Sequence, residues 1–146
     1  MIQDDTIKLL RECDAGIKMG VTSIDEVLDK IHDKNMAGEL KKAMDDHEQL
    51  GEKATALLHE YHDQGKEPSA VSKSMSWMKS NMMMAMDHAG HEQTAADLIT
   101  DGCNMGIKSL SRYLNQYQAA DKQSKDIAKK LITIEEDLTV HMRPYL

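Results

Sequence analysis

Residues 105–117, MGIKSLSRYLNQY, read as a second version of residues 19–31, MGVTSIDEVLDKI. Met19 aligns with Met105, Gly20 with Gly106, Ser23 with Ser109 and Leu28 with Leu114, while Val21 and Ile24 match Ile107 and Leu110 in kind. The likeness runs on. Lys41, Lys42, Glu48, Leu50 and Leu58 recur as Lys129, Lys130, Glu136, Leu138 and Leu146. The spacing is 86 residues in the first stretch and 88 in the second, so the halves differ by two residues near a turn. The chain reads as two copies of one two-helix unit.

The apolar phase says which helices. Ile7, Leu10, Asp14, Ile17, Val21, Ile24, Leu28 and Ile31 follow steps of three and four, the seam of an amphipathic helix over about residues 4–33. DKNMAG (33–38) permits a turn. Met36, Leu40, Ala43, His47, Leu50, Ala54, Leu57 and Tyr61 mark a second helix over about 36–63. DQGKEPS (63–69) is the clearest break, with Gly65 and Pro68 as punctuation. A short helix is expected near 70–87. Ala96, Ile99, Cys103, Ile107, Leu110, Leu114 and Tyr117 set a long one over 90–119. After a turn at AADKQS (119–124), Ile127, Leu131, Glu135, Leu138 and Met142 set the last, about 123–143. The expected fold is all-α: one domain, 1–146, with a hairpin at 4–63, a crossover at 64–89 and a hairpin at 90–146. That is a four-helix bundle with a long crossover.

Composition narrows the function classes. Lys and Arg total 18 against 25 Asp and Glu, a net charge of −7. That disfavours nucleic acid and anionic membranes as partners. The N-terminus MIQDDTIKLL lacks the basic and apolar regions of a signal peptide, and no apolar run nears the ~18 residues of a membrane helix, so a cytoplasmic protein is expected. With no Phe, one Trp and twelve Met, the core is expected to be aliphatic and Met-filled. Cys13 and Cys103 form neither a disulfide framework nor a zinc pattern and read as small buried hydrophobes. No nucleophile motif, phosphate loop or dinucleotide fingerprint occurs, so no catalytic residue and no organic cofactor is indicated.

Two hairpins, a long crossover and internal pseudo-symmetry resemble the ferritin-like superfamily, in particular its small bacterial members of unknown function. The resemblance implies the bundle fold. In the iron-binding members each half supplies a Glu from its first helix and a Glu-x-x-His from its second, together holding two irons. Here no Glu-x-x-His occurs, and the only acid on the first seam is Asp14, whose equivalent is Thr100. Neither ferroxidase activity nor iron storage is therefore expected.

Some polar residues stand out against the apolar phase. His47 and Glu135 are equivalent by the repeat, both face inward, and both lie near the level of Gly20 and Gly106. One reading is a degenerate metal centre of His47 and Glu135 helped by Glu48, Glu136 and Asp14. The other is a buried His–Glu pair that satisfies itself by a hydrogen bond. MSWMKSNMMMAMDHAGH (75–91) holds six Met, one Trp and two His. It reads as groove packing, as a surface for a protein partner or second copy, or as a Met/His copper site. HEYH (59–62) and HAGH (88–91) place His at i and i+3, a spacing that suits zinc or nickel on one helix face. The function expected is a non-catalytic bundle that dimerises or binds a partner through the Met-rich helix. The alternative is a metal-binding protein using the reduced carboxylate–His site or the copper site.

Overall fold

A computed structural model describes residues 2–65 and 91–146, and all regular structure among them is helical. The four helices are α1 (Ile2–Leu28), α2 (Lys34–Glu60), α3 (His91–Gln116) and α4 (Lys122–Met142), with a single 3-10 turn at Arg143–Tyr145. None is long and apolar enough to cross a membrane. The Met-rich helix expected near 70–87, with its copper, packing and partner readings, lies outside the described residues.

Both hairpin turns fall earlier in the chain than expected. Each ends at an aspartate that caps the next helix. Asp33, in extended backbone, accepts from the Met36 amide at 2.8 Å, and Asp121 accepts from the Ser124 amide at 2.9 Å. A short carboxylate at this position satisfies an amide that has no partner inside the helix. Helix α2 therefore starts at Lys34, and Gly38, expected in the turn, sits inside it. Ile31 still reaches the core from the turn.

Helix α1 packs on α2, α3 and α4, and α2 packs on α1 and α4. Hydrogen bonds at the ends set the directions. The amides of His32 and Asp33, in the first turn, donate to Glu92 at the start of α3 (2.8 and 3.2 Å), and Tyr145 Oη donates to Asp33 at 3.1 Å. At the opposite end, the Ala119 amide donates to Asp5 and the Asp121 amide to Thr6 (3.0 and 2.8 Å). So α1 and α3 are antiparallel, as are α2 and α4. Thr6 and Glu92 are 86 residues apart, the spacing of Gly20 and Gly106, and Asp33 and Asp121 are 88 apart. Helix α2 finishes where α1 begins: Asp63 lies 3.8 Å from Arg11, and Gly65 lies against the Asp14 carboxylate. Helix α3 starts at the other end, about 40 Å away at 1.5 Å per residue.

The core has two apolar clusters. One joins Ile24, Val27, Met36, Leu40, Ala96, Ile99 and Met142 at the end where α1 turns into α2. The other joins Leu9, Leu10, Cys13, Leu50, Leu58, Leu110 and Leu131 at the opposite end. Burying a Leu or Ile side chain is worth about 1.5–3 kcal/mol, so these clusters carry the fold. The described core is chiefly Leu, Ile and Ala. Of its methionines only Met36 and Met142 are buried, and Met105 is 52% exposed, so the Met-filled core expected from composition is not found here. Leu58 is the fully buried position on α2, in steps of four from Leu50 through Ala54, while Leu57 is half-buried and packs against the same cluster.

Candidate functional site

A polar layer separates the two clusters. His47 follows Ala43 of one cluster and precedes Leu50 of the other, and Glu135 lies likewise between Leu131 and Leu138. Both are buried, His47 to 1% and Glu135 to 7% exposure. Each reaches towards the glycine on the helix it pairs with. A Cβ built on Gly20 would stand 2.7 Å from His47 Cδ2 and Nε2, and one built on Gly106 would meet both carboxylate oxygens of Glu135. The glycines are thus the notches that admit these two side chains, as expected from their level in the bundle.

The direct hydrogen bond expected between His47 and Glu135 is not made. His47 Nδ1 lies 2.7 Å from the carbonyl of Ala43. A carbonyl only accepts, so Nδ1 carries the proton and Nε2 is left as a bare lone pair in the neutral ring. Neither His47 Nε2 nor Glu135 Oε2 has a hydrogen-bond partner. The reason is geometric: each side chain fills the notch in its own hairpin instead of reaching across the bundle. Burial pushes the Glu135 carboxyl up to about 8 and holds the His47 imidazole below its usual value. At neutral pH the layer therefore holds two uncharged groups.

Both side chains line a cavity of about 150 Å³. Its walls are Ala15, Gly16, Met19, Gly20 and Ser23 of α1 and Gly102, Cys103, Gly106, Ser109 and Tyr113 of α3, with Ile24, Ile99, Leu110 and Leu138 among the apolar lining. Glu12 stands at its edge and accepts from the Tyr113 hydroxyl. Small residues of α1 and α3 supply much of its wall, and their lack of bulk leaves the space open. Gly16 and Gly102 were missed by the sequence reading, which began the repeat at Met19. Carried back three residues, GIKMGVTS (16–23) matches GCNMGIKS (102–109) at Gly, Met, Gly and Ser, a signal available in the sequence.

The remaining candidate ligands do not converge here. Glu48 and Glu136 are exposed, one residue round the helix from the buried pair. Asp14 is buried nearer the end of the bundle, 3.0 Å from Lys18 Nζ and against Gly65. Thr100, aligned with Asp14 by the 86-residue spacing, has a buried hydroxyl oxygen with no hydrogen-bond partner. Among the described residues no three His, Cys, Asp or Glu side chains are grouped to hold a metal. A di-iron centre, which takes about four carboxylates and two imidazoles, does not fit this set. The HEYH pair does not share a helix face, because α2 stops at Glu60 and His62 takes a φ of 57°. His88 of HAGH lies outside the described residues, and the His91 ring sits 6.2 Å from that of His32. Cys13 and Cys103 are buried, and burial raises both thiols, Cys13 to about 12, so neither is a nucleophile at neutral pH. Protein-family models, curated proteins and solved structures show no match to the chain.

Proposed function

We propose that this chain is a ferritin-like bundle of two duplicated hairpins that works by binding, with a degenerate centre in which a small-molecule cavity stands where relatives of that layout would hold metal. The duplication reading is supported by equivalent side chains doing equivalent jobs. Asp33 and Asp121 cap, Thr6 and Glu92 accept turn amides, and Gly20 and Gly106 admit polar side chains. The up-down-down-up directions of the helices, with the chain leaving α2 at one end and entering α3 at the other, suit the ferritin-like layout.

One observation carries the binding reading. Two buried polar atoms, His47 Nε2 and Glu135 Oε2, lack any partner at a single cavity. An unsatisfied buried group costs about 1–3 kcal/mol, and a ligand that pairs with both recovers that energy. Opposite the buried pair, α1 and α3 carry Gly20 and Gly106, where the iron-binding members of that layout carry glutamate. The role proposed is non-catalytic; among the described residues that line the cavity, burial raises the Cys103 thiol, and His47 Nε2 and Glu135 Oε2 have no hydrogen-bond partner.

The test is metal analysis of the purified protein together with a ligand screen. Iron well below one atom per chain is expected, with no ferroxidase activity. A set of ring-sized molecules of different charge should include members that shift the NMR signals of the His47 ring. Two irons per chain, or no molecule of any charge shifting those signals, would overturn the reading.

A further inference from the structure

We propose that the cavity between α1 and α3 is a site for a small primary amine, its ammonium group held between His47 Nε2 and the Glu135 carboxylate and its ring-sized apolar body in the rest of the space. This rests on the reading of the centre as a binding cavity and adds the chemical class of what it takes.

The polar atoms left without partners decide the class. His47 Nε2 is an acceptor only, since its Nδ1 proton is committed to the Ala43 carbonyl. It needs a donor. Glu135 Oε2 is the other open position, and once the carboxyl has released its proton it too accepts only. An ammonium group has three donors and no acceptor, which matches two acceptors facing one space. The charge around the cavity agrees. Glu12 and Glu135 are its acids, and no Lys or Arg lines it among the described residues. An anion would meet a buried carboxyl with no cation to balance it. The net charge of −7 also draws cations to the protein.

Size and surface set the body of the ligand. A cavity of about 150 Å³ matches the volume in which a dry, apolar engineered cavity takes up benzene. Ala15, Met19, Ile24, Ile99 and Leu110 give apolar contact, and the notches at Gly16 and Gly102 leave room for it. A bare metal ion would use the polar atoms and leave that space unfilled. Among the described residues it would also find no group of three His, Cys, Asp or Glu side chains, the number of protein ligands in a catalytic zinc site.

Binding carries a proton balance. Below about pH 8 the Glu135 carboxyl is protonated in the empty protein because burial penalises its charge. The amine is already protonated in water. When it enters, Glu135 gives its proton to solvent, and the product is an ammonium–carboxylate pair. Among the described residues, the titratable groups facing Glu135 are Cys103 of α3, whose raised thiol stays protonated, and, around the same cavity, His47 of α2, Glu12 of α1 and Tyr113 of α3. None is poised to release that proton in its place.

The experiment is calorimetry on the intact chain with benzylamine, benzyl alcohol, benzoate and Zn²⁺ as probes at pH 6.5, repeated in buffers of different ionisation enthalpy. Benzylamine should bind saturably and release about one proton per molecule, while benzoate does not bind. Glu135→Gln should weaken benzylamine by about tenfold or more, the scale of a charge-assisted hydrogen bond, and end the proton release, with little change for benzyl alcohol. Ser109→Leu, which puts an apolar branch into the cavity, should weaken both ring compounds together. It covers the case in which Glu135→Gln fails to fold. Equal affinity for benzylamine and benzyl alcohol, binding without proton release, or tight Zn²⁺ binding with none of the amine would each overturn the assignment. Iron content, measured separately, tells failure of this assignment from failure of the reading beneath it.

Discussion

The centres of the two hairpins have the same architecture and opposite chemistry. In one, Gly20 admits a histidine, which keeps its proton on the side that meets a backbone carbonyl and shows a lone pair to the cavity. In the other, Gly106 admits a glutamate, which finds no partner for Oε2 and is held protonated by burial. The comparison teaches that the backbone notch belongs to the hairpin design, while the group that fills it is free to vary. Two glycine notches of like construction thereby hold an asymmetric site, one half basic and one half acidic, facing the same space.

The largest test of that contrast is pH. Glu135 has a folded pKa of about 8, above its ordinary 4.5. Its contribution to stability is full below pH 4.5 and is lost as pH rises towards 8, by on the order of 5 kcal/mol at most. His47 has the opposite sign. Its folded pKa lies below 6.5, so the stability it contributes is present above pH 6.5 and is lost as pH falls. Urea midpoints from pH 4 to 9 should show Glu135→Leu gaining most over wild type at pH 9 and losing the alkaline decline. His47→Leu should flatten only the acid side. Identical pH slopes for wild type and Glu135→Leu would mean that the carboxyl is not buried as described.

A smaller effect separates the notches themselves. The His47 ring is anchored by its bond to Ala43, whereas the Glu135 carboxylate is the far end of a flexible side chain. Gly20→Ala should therefore destabilise by about 1–3 kcal/mol through overpacking. Gly106→Ala should come out near neutral, because the carboxylate swings away and alanine improves helix propensity by about 1 kcal/mol. Thermal melts of the two variants side by side check this, and a reversed order would break the proposed difference in anchoring.

The smallest effect tests the equivalence instead of the contrast. Asp33→Ala and Asp121→Ala each remove an N-cap and should each lower stability by about 1 kcal/mol. Asp33→Ala should have the slightly larger effect, because Asp33 also accepts from Tyr145. If one cap proves silent while the other costs 2 kcal/mol or more, the two turns are not equivalent.

Much of this was legible in the sequence. The seams Leu10–Ile17–Ile24 and Ile127–Leu131–Leu138 are buried where their phase put them, because amphipathic spacing is a direct record of which face meets the core. His47 and Glu135 were recognisable as polar intruders on those seams. What the seams could not show was where the intruders point. A one-dimensional phase places a Cα on a face but says nothing of which neighbour the tip of a long side chain reaches. The self-satisfying pair was therefore the wrong picture. Nor does a phase reveal space that side chains leave empty: Gly16 and Gly102 matter because both line one cavity. Glu48 and Glu136 stand apart from the buried pair for a simpler reason. One residue along a helix is a turn of about 100°, which carries a side chain from the core to solvent.

The hydrogen bonds at the two ends of the bundle bear on how it moves. Glu92 ties α3 to the first turn, and Asp5 and Thr6 tie α1 to the second, so the hairpins are fastened to each other at both extremities by contacts far apart along the chain. Between those fastenings lies a stretch of glycines, a void and two unsatisfied groups. The ends will be the last places to open and the waist the first. Amide hydrogens in the middle turns of α1 and α3, around Gly20 and Gly106, should exchange with solvent faster than those near Leu9 or Val27, by local opening that leaves the hairpins joined. A molecule would then reach the interior through a bulge at mid-height, with no need for the helices to part.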